Sequence, residues 1–113
     1  MARINYFELP ATDTAVSRDF YANAFGWSFT DFGPTYSATT GGDIDLGLQG
    51  DAREAPKAPL PVIEVADLEA ALEAVSAAGG QISRPIFSFP GGRRFEFTDP
   101  AGNAIAVAHT AEH

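Results

Sequence analysis

The sequence predicts an α+β fold made of two βαβββ modules, and two observations lead to this prediction. The same order of signals occurs twice along the chain: a short strand, a helix with a capping aspartate, and about three further strands. The spacing also repeats, because Gly26 lies thirteen positions after Asp13 and Gly80 lies thirteen positions after Asp67. Each aspartate can cap the start of a helix, and each glycine can end one. Both halves are therefore expected to adopt the same arrangement.

The first module is expected over residues 1–49. It opens with a strand at residues 4–10, and Asp13 then begins a helix that ends at Gly26. The helix carries an apolar stripe at helical spacing, formed by Val16, Phe20, Ala24 and Phe25. The aromatic residues assigned mostly to the core by position are Phe20, Tyr21, Phe25, Trp27 and Phe29, with Trp27 expected at a pocket edge or module interface. Strands are predicted at residues 27–29, 35–39 and 44–48.

A polar, proline-containing linker is expected at residues 50–59, followed by the second module at 60–113. A strand at 61–65 precedes the helix capped by Asp67, whose apolar stripe is Leu68, Ala71, Leu72 and Val75. Gly79 and Gly80 end this helix. Strands follow at 81–83, 94–98 and 104–109, with a Pro100 and Gly102 turn before the last. The proline-bounded residues 85–90 fit either an edge strand or a cavity lid.

Composition narrows the class of protein. Apolar residues make up 45% of the 113 positions and charged residues 19%, which argues against disorder. No apolar run reaches the roughly 20 residues that span a bilayer, and residues 1–6 lack a signal-peptide pattern, so we expect a soluble cytoplasmic protein. The absence of cysteine excludes disulfides and thiolate chemistry. A net charge of −8 disfavours nucleic acid and anionic membranes and weakly favours cationic small molecules.

Three stretches, residues 7–13, 19–27 and 97–103, carry a family resemblance. They contain the strand end before Asp13, the helix end FYANAFGW and the hairpin DPAGN. In this order, on a duplicated βαβββ background, they resemble the vicinal oxygen chelate superfamily of glyoxalases, bleomycin-resistance proteins and extradiol dioxygenases. The resemblance implies a single domain in which two modules curl into half-barrels around a concave cavity. It also implies a divalent ion in metal-using members, and pairing of modules between the subunits of a homodimer.

The resemblance further implies four metal-ligand positions, on the first and last strand of each module. By strand register these positions are Tyr6, Asp45, Leu60 and Ala106. Leu60 and Ala106 have no donor atom, neutral tyrosine is a poor ligand, and one carboxylate cannot hold zinc, nickel or iron. The two histidines, His109 and His113, lie at the C-terminal end and are not expected to be ligands. We therefore predict no metal site of the family's kind and no cofactor.

Strand alternation predicts which side chains line the cavity instead. The predicted ligand-binding residues are Tyr6, Glu8, Asp45, Glu64, Trp27 and Ala106. Carboxylates pair with ammonium groups and aromatic faces attract cations, so this set fits a cationic or amphipathic small molecule. An alternative is that Glu8 and Glu64 are ordinary sheet-edge residues or dimer contacts. Arg93 and Arg94 fit either an anion clamp or a solvated loop.

Three functions remain open at this point. The first is a metal-free small-molecule binder of the bleomycin-resistance type. The second is an enzyme, a glyoxalase-like lyase or isomerase, or a dioxygenase relative, that uses cavity carboxylates or an atypical metal site. The third is a dimeric interaction or regulatory module. The sequence does not identify the ligand, establish whether a reaction occurs or decide how the modules pair.

Overall fold

The structure, a computed structural model, describes residues 2–110; Met1 and residues 111–113, which include the predicted non-ligand His113, lie outside this range. In chain order the elements are β1 (Arg3–Pro10), α1 (Thr14–Phe25), β2 (Thr30–Asp31), β3 (Tyr36–Ala38), β4 (Asp45–Gln49), β5 (Leu60–Glu64), α2 (Leu68–Ala77), β6 (Gln81–Phe89), β7 (Gly92–Thr98) and β8 (Ala104–Thr110). This order is strand, helix and three strands, twice over. The α+β fold of two βαβββ modules is therefore confirmed.

The described residues form two compact units, one of residues 6–60 and the other of residues 2–5 and 61–110. In the first unit, β4 lies between β1, to which it runs parallel, and β3, to which it runs antiparallel, and β2 pairs with β3. In the second unit, β8 lies between the parallel β5 and the antiparallel β7, and β6 pairs with β7. Both units thus have the same pairing pattern.

Both helices begin where the sequence places them. Asp13 Oδ1 accepts a hydrogen bond from the Val16 amide at 3.2 Å, and Asp67 Oδ1 accepts one from the Ala70 amide at 3.0 Å. The first helix ends at Gly26, whose φ of 72° is left-handed. A side chain at this φ would be strained, which explains why glycine stands at the helix end.

The apolar stripe of α2 packs as predicted. Leu68, Phe95 and Val107 form the buried centre of the second unit, with relative exposures of 2% or less. Partly buried side chains pack around them, namely Ile63, Val65, Ala71, Leu72, Val75, Ile82, Ile86 and Phe97. All four stripe residues therefore belong to one core, which fixes α2 against β6, β7 and β8.

The apolar stripe of α1 differs from its prediction. Val16, Phe20 and Phe25 are 65%, 60% and 60% exposed, so the stripe is not buried and the assignment of Phe20 and Phe25 to the core is wrong. Their helical spacing is real, but the rings pack along the helix rather than into the sheet. Phe20 meets Tyr21 edge-on at 5.1 Å, and Tyr21 stacks on Phe25 at 6.4 Å between ring centroids.

Two strand predictions also need correction. Trp27–Phe29 is not a strand, and the pairing begins at Thr30. Residues 85–89 continue β6, so this segment is an outer strand of its unit rather than a lid. The pairing of β6 with β7 shifts register between Arg84 and Phe87, where Pro85 cannot donate a ladder hydrogen bond. Neither helix among the described residues is long and apolar enough to cross a membrane.

Candidate functional site

A hydrogen-bonded cluster of two tyrosines and one glutamate lies on one face of the first unit. Tyr6 and Glu8 alternate along β1 and so share a face, and Tyr36 reaches them from β3 on the far side of β4. The Tyr36 hydroxyl contacts the Tyr6 hydroxyl and lies 3.2 Å from Glu8 Oε2. Glu8 is only 4% exposed. Two residues predicted at the site, Tyr6 and Glu8, are thus brought together by a third.

Gly47 makes this cluster possible. It lies on β4 opposite Glu8, directly beneath the two phenols. A Cβ atom at this position would collide with both hydroxyl oxygens and would stand 2.7 Å from Cζ of Tyr6. The absence of a side chain therefore gives the tyrosine pair its space. A glycine inside a strand signals such close approach, and this signal could have located Tyr36, which the sequence analysis missed.

The direction of the hydrogen bonds follows from the chemistry of the groups. Burial raises the pKa of the Tyr36 phenol, and the Tyr6 and Glu8 oxygens raise it further, so Tyr36 keeps its proton. A carboxylate only accepts hydrogen bonds, so the single Tyr36 hydrogen goes to Glu8. Tyr6 must then donate to the Tyr36 oxygen. The chain of donors runs from Tyr6 through Tyr36 to the buried carboxylate.

Asp45, also predicted at the site, lies opposite Tyr6 where β4 begins. Its Oδ1 accepts a hydrogen bond from Thr39 Oγ1 at 2.9 Å, and its two oxygens lie 3.3 Å from the Gly42 amide. The carboxylate therefore closes the loop that joins β3 to β4. The Thr39 hydroxyl in turn accepts from the Leu46 amide at 3.0 Å, which fixes the loop to the strand.

An open cleft of about 710 Å³ lies beside this loop. Its lining residues are Phe7, Leu9, Trp27, Ser28, Thr39, Thr40, Gly41, Gly42, Ile44, Asp45 and Leu46. Phe7 and Leu9 alternate with Tyr6 and Glu8 along β1, so the cleft opens on the opposite face of the strand from the tyrosine cluster. The structure therefore separates the predicted Trp27 from Tyr6 and Glu8, whereas Asp45, which pairs with Tyr6 and shares its face of the sheet, borders the cleft only where β4 begins.

The predicted residues of the second unit have local roles. Glu64 Oε2 accepts from the Thr110 amide at 3.0 Å, and Oε1 lies 3.2 Å from the Thr110 hydroxyl, so this carboxylate binds the end of β8. His109 Nδ1 lies 2.9 Å from the Val65 carbonyl oxygen. Ala106 is fully buried within β8, opposite Val62 on β5.

Arg93 and Arg94 do not act as one clamp, because consecutive residues of a strand point to opposite faces. Arg93 donates to both oxygens of Glu69 on α2, at 2.6 and 3.2 Å. This guanidinium, followed by a backbone hydrogen bond, lowers the pKa of Glu69. Arg94 instead donates to Glu96 Oε2 at 2.9 Å, on the other face of β7.

The four ligand positions implied by the family do not fit a divalent ion. Leu60 and Ala106 are buried and have no donor atom. The Tyr6 phenol is engaged with Tyr36, and the Asp45 carboxylate is engaged with its loop. Within residues 2–110, no three histidine, aspartate or glutamate side chains converge on one point. One carboxylate and one neutral phenol fall short of the three or four ligands that such ions need.

Comparison with known proteins identifies the family. The model of the Glyoxalase/Bleomycin resistance protein/Dioxygenase superfamily matches residues 3–107. The chain belongs to this superfamily, and the resemblance found in the sequence is confirmed.

Curated relatives agree with this assignment. CFP32 of Mycobacterium bovis, whose name carries the word glyoxylase, is 31% identical over 120 residues, which cover 96% of this chain and 46% of that protein. The glyoxylase-like domain-containing protein of Didymella fabae is 35% identical over 93% of this chain and 91% of its own length. The anthracycline biosynthesis protein DnrV of Streptomyces peucetius is 30% identical over 90% of this chain and 45% of its own length. The chain thus spans about half the length of CFP32 and DnrV.

Solved structures share the fold. A superfamily member from Vibrio splendidus has a TM-score of 0.67 at 19% identity, covering 98% of this chain and all of that one. Methylmalonyl-CoA epimerase from Mycobacterium tuberculosis has a TM-score of 0.76 at 14% identity, covering 96% of this chain and 88% of that one. At these identities the likeness concerns the fold alone.

Proposed function

We propose that this member of the superfamily binds a small cationic or amphipathic molecule, without a metal ion, on the face of the first module that carries Tyr6 and Glu8. The observation behind this proposal is the directed hydrogen-bond chain from Tyr6 through Tyr36 to Glu8. The relationship to the superfamily makes small-molecule binding a natural use of the fold.

The chemistry of the cluster favours a positively charged ligand. The Glu8 carboxylate supplies negative charge in a buried setting, where screening by water is weak. The faces of the two phenol rings attract cations. An ammonium group beside these rings would therefore gain a favourable field.

This binding mode does not need a metal ion, and the residues at the family's ligand positions do not provide enough donor atoms to bind one. Leu60 and Ala106 would have to carry imidazole or carboxylate groups to complete the family's ligand shell. The ligand is instead held by side-chain hydrogen bonds and ring contacts. The name of DnrV refers to anthracycline biosynthesis, and anthracyclines are amphipathic molecules that carry an amino sugar, which is the ligand class proposed here.

Isothermal titration with three organic cations tests the proposal: benzyltrimethylammonium, spermidine and daunorubicin. Binding of at least one is expected, and Tyr6→Phe should weaken it about tenfold, because the hydroxyl that begins the hydrogen-bond chain to Glu8 is lost. Phenylalanine keeps the ring, so folding is preserved. For daunorubicin, the matched control is its aglycone, which lacks the amine and should bind more weakly. Absence of binding by all three cations, or equal binding by Tyr6→Phe, would refute the proposal.

A second candidate is an enzyme, because the same hydrogen-bond chain could carry a proton from a substrate at Tyr6 to the Glu8 carboxylate. The reaction class would be that of a lyase or isomerase acting on an α-hydroxycarbonyl compound. Turnover of the hemithioacetal of methylglyoxal and glutathione, with and without added metal, distinguishes it from a binder. Activity without metal that Glu8→Gln abolishes would favour the enzyme.

We also propose that the chain pairs with a second copy of itself through the exposed aromatic side of α1. Val16, Phe20 and Phe25 all lie on this helix and are each at least 60% exposed, and exposed apolar side chains that group on one element favour an interface. CFP32 and DnrV have room for a second domain of this size, since this chain accounts for less than half of either. Sedimentation equilibrium should show a dimer that Phe20→Glu dissociates, and a monomeric wild type would exclude it.

A further inference from the structure

We infer that residues 40–44, in the loop that joins β3 to β4, form a lid that Asp45 holds open and that can fold over the apolar cleft beside it. All five residues of this lid are exposed, and the lid borders the cleft of about 710 Å³. The inference goes beyond the proposed function, because it concerns the other face of β1 and needs no ligand.

Asp45 holds the lid through hydrogen bonds that together are called the latch. Its Oδ1 accepts from Thr39 Oγ1 at 2.9 Å, and both its oxygens lie 3.3 Å from the Gly42 amide. Within residues 2–110, the Gly42 amide is the only group of the lid that makes a hydrogen bond. A Cβ atom on residue 42 would crowd Asp45 Oδ1 at 3.1 Å, so glycine leaves the space for this contact. One carboxylate therefore decides where the lid lies.

The lid carries an apolar side chain on the side of the cleft. Asp45 pairs with Tyr6 and shares its face of the sheet, whereas Ile44 and Leu46, on either side of Asp45, line the cleft. Ile44 is 57% exposed, and Trp27 on the cleft wall is 43% exposed. Removing both side chains from water is favourable in proportion to the apolar area buried. The latch thus keeps apart two apolar groups that the hydrophobic effect would bring together.

The latch is weak enough for this effect to compete with it. Its Gly42 contacts, at 3.3 Å, are longer than the roughly 2.7–3.2 Å of ordinary N–H···O hydrogen bonds. The net contribution of one hydrogen bond is also similar in size to that of burying part of an isoleucine side chain. Gly41, whose φ of 82° is left-handed, and Gly42 give this part of the backbone wide conformational freedom. Breaking the latch is therefore expected to close the lid.

Acrylamide quenching of the fluorescence of Trp27, the only tryptophan in the chain, tests the inference. Asp45→Ala removes the latch, and closure should then lower the quenching constant about twofold, because the indole loses contact with water. Asp45→Asn keeps an oxygen that accepts from the Thr39 hydroxyl and the Gly42 amide, so its quenching should match the wild type. Asp43→Ala is the matched control, because it removes a neighbouring exposed carboxylate that is not part of the latch.

Two further variants make the result decisive. Ile44→Ser in the Asp45→Ala background should restore wild-type quenching, because closure depends on an apolar side chain at this position. Thr39→Val removes the hydroxyl of the latch but keeps the branched shape, so it should lower the quenching constant by a smaller amount. It also serves as the test if circular dichroism shows that Asp45→Ala does not fold.

Three outcomes would overturn the inference. The first is an unchanged or higher quenching constant in a folded latch variant, either Asp45→Ala or Thr39→Val. The second is a decrease in Asp45→Ala that Ile44→Ser does not reverse. The third is an equal decrease in Asp43→Ala, which would assign the effect to lost charge rather than to the latch.

Discussion

The Tyr36 hydroxyl donates to Glu8 Oε2 across 3.2 Å, from a strand that is separated from β1 by the whole of β4. The contact bridges the intervening strand because Gly47 leaves that strand without a side chain. It satisfies a carboxylate that is almost completely buried, which would otherwise be costly. Tyr6 is the first donor of the hydrogen-bond chain that ends on this carboxylate.

Gly47→Ala should destabilise the protein by about 1–3 kcal/mol, because the new methyl group overlaps the tyrosine hydroxyls. Urea unfolding followed by circular dichroism measures the loss. In the Tyr36→Phe background, where one hydroxyl is already absent, the same substitution should cost less. Equal costs in both backgrounds would show that the phenols and Gly47 are not coupled.

Asp13→Ala and Asp67→Ala should each lower the free energy of unfolding by about 1 kcal/mol, because each removes the side-chain acceptor for an amide of the first helical turn. Asn at either position keeps an oxygen acceptor and should recover most of the loss. Chemical denaturation of the four single variants checks this. An asparagine variant as unstable as its alanine counterpart would argue against capping as the cause.

Asp99 should titrate below the ordinary aspartate range. The Asn103 side chain, followed by the Asn103 amide, donates to its carboxylate and lowers the pKa of Asp99. The pKa of Asp99 in the folded protein lies below the unfolded value of about 3.9, so its hydrogen bonds contribute to folding stability. This stabilisation is fully present above the unfolded pKa and is lost as the pH falls through the folded pKa.

Carboxyl-detected NMR titration should show the Asp99 pKa rising in Asn103→Ala. Asp31 is the internal control, because hydrogen bonds from Ser37 and then Arg18 lower its pKa independently in the other unit. An unchanged Asp99 pKa in the variant would contradict the assigned cause.

Nickel, zinc or manganese at stoichiometric concentration should leave the melting temperature of the protein unchanged. The physical reason is that a bound ligand raises stability only through differential affinity for the folded state, and Leu60 and Ala106 offer no donor atoms. Differential scanning fluorimetry with and without a chelator measures the effect. A rise of several degrees would reveal a metal site that the family's positions do not explain.

The α2 core and the two helix starts were predictable because they depend on neighbours three or four positions apart. A stripe such as Leu68, Ala71 and Leu72 carries its own periodicity, and it packed as expected. The same reasoning was wrong for Phe20 and Phe25, because spacing defines a helix face but not what covers it. Tyr36 was missed for a related reason, since it meets Glu8 at a separation of 28 residues.

The sequence by itself determined the duplicated order of elements, the ends of the helices and the lack of donor atoms at two of the four family ligand positions. These properties depend only on residue type and on the spacing of nearby residues. Only the tertiary structure decided that Tyr36 joins Tyr6 to Glu8, and that Trp27 lines a cleft on the other face of β1. Strand order and register bring together residues far apart in the chain, and neither is encoded in the local pattern of any single strand.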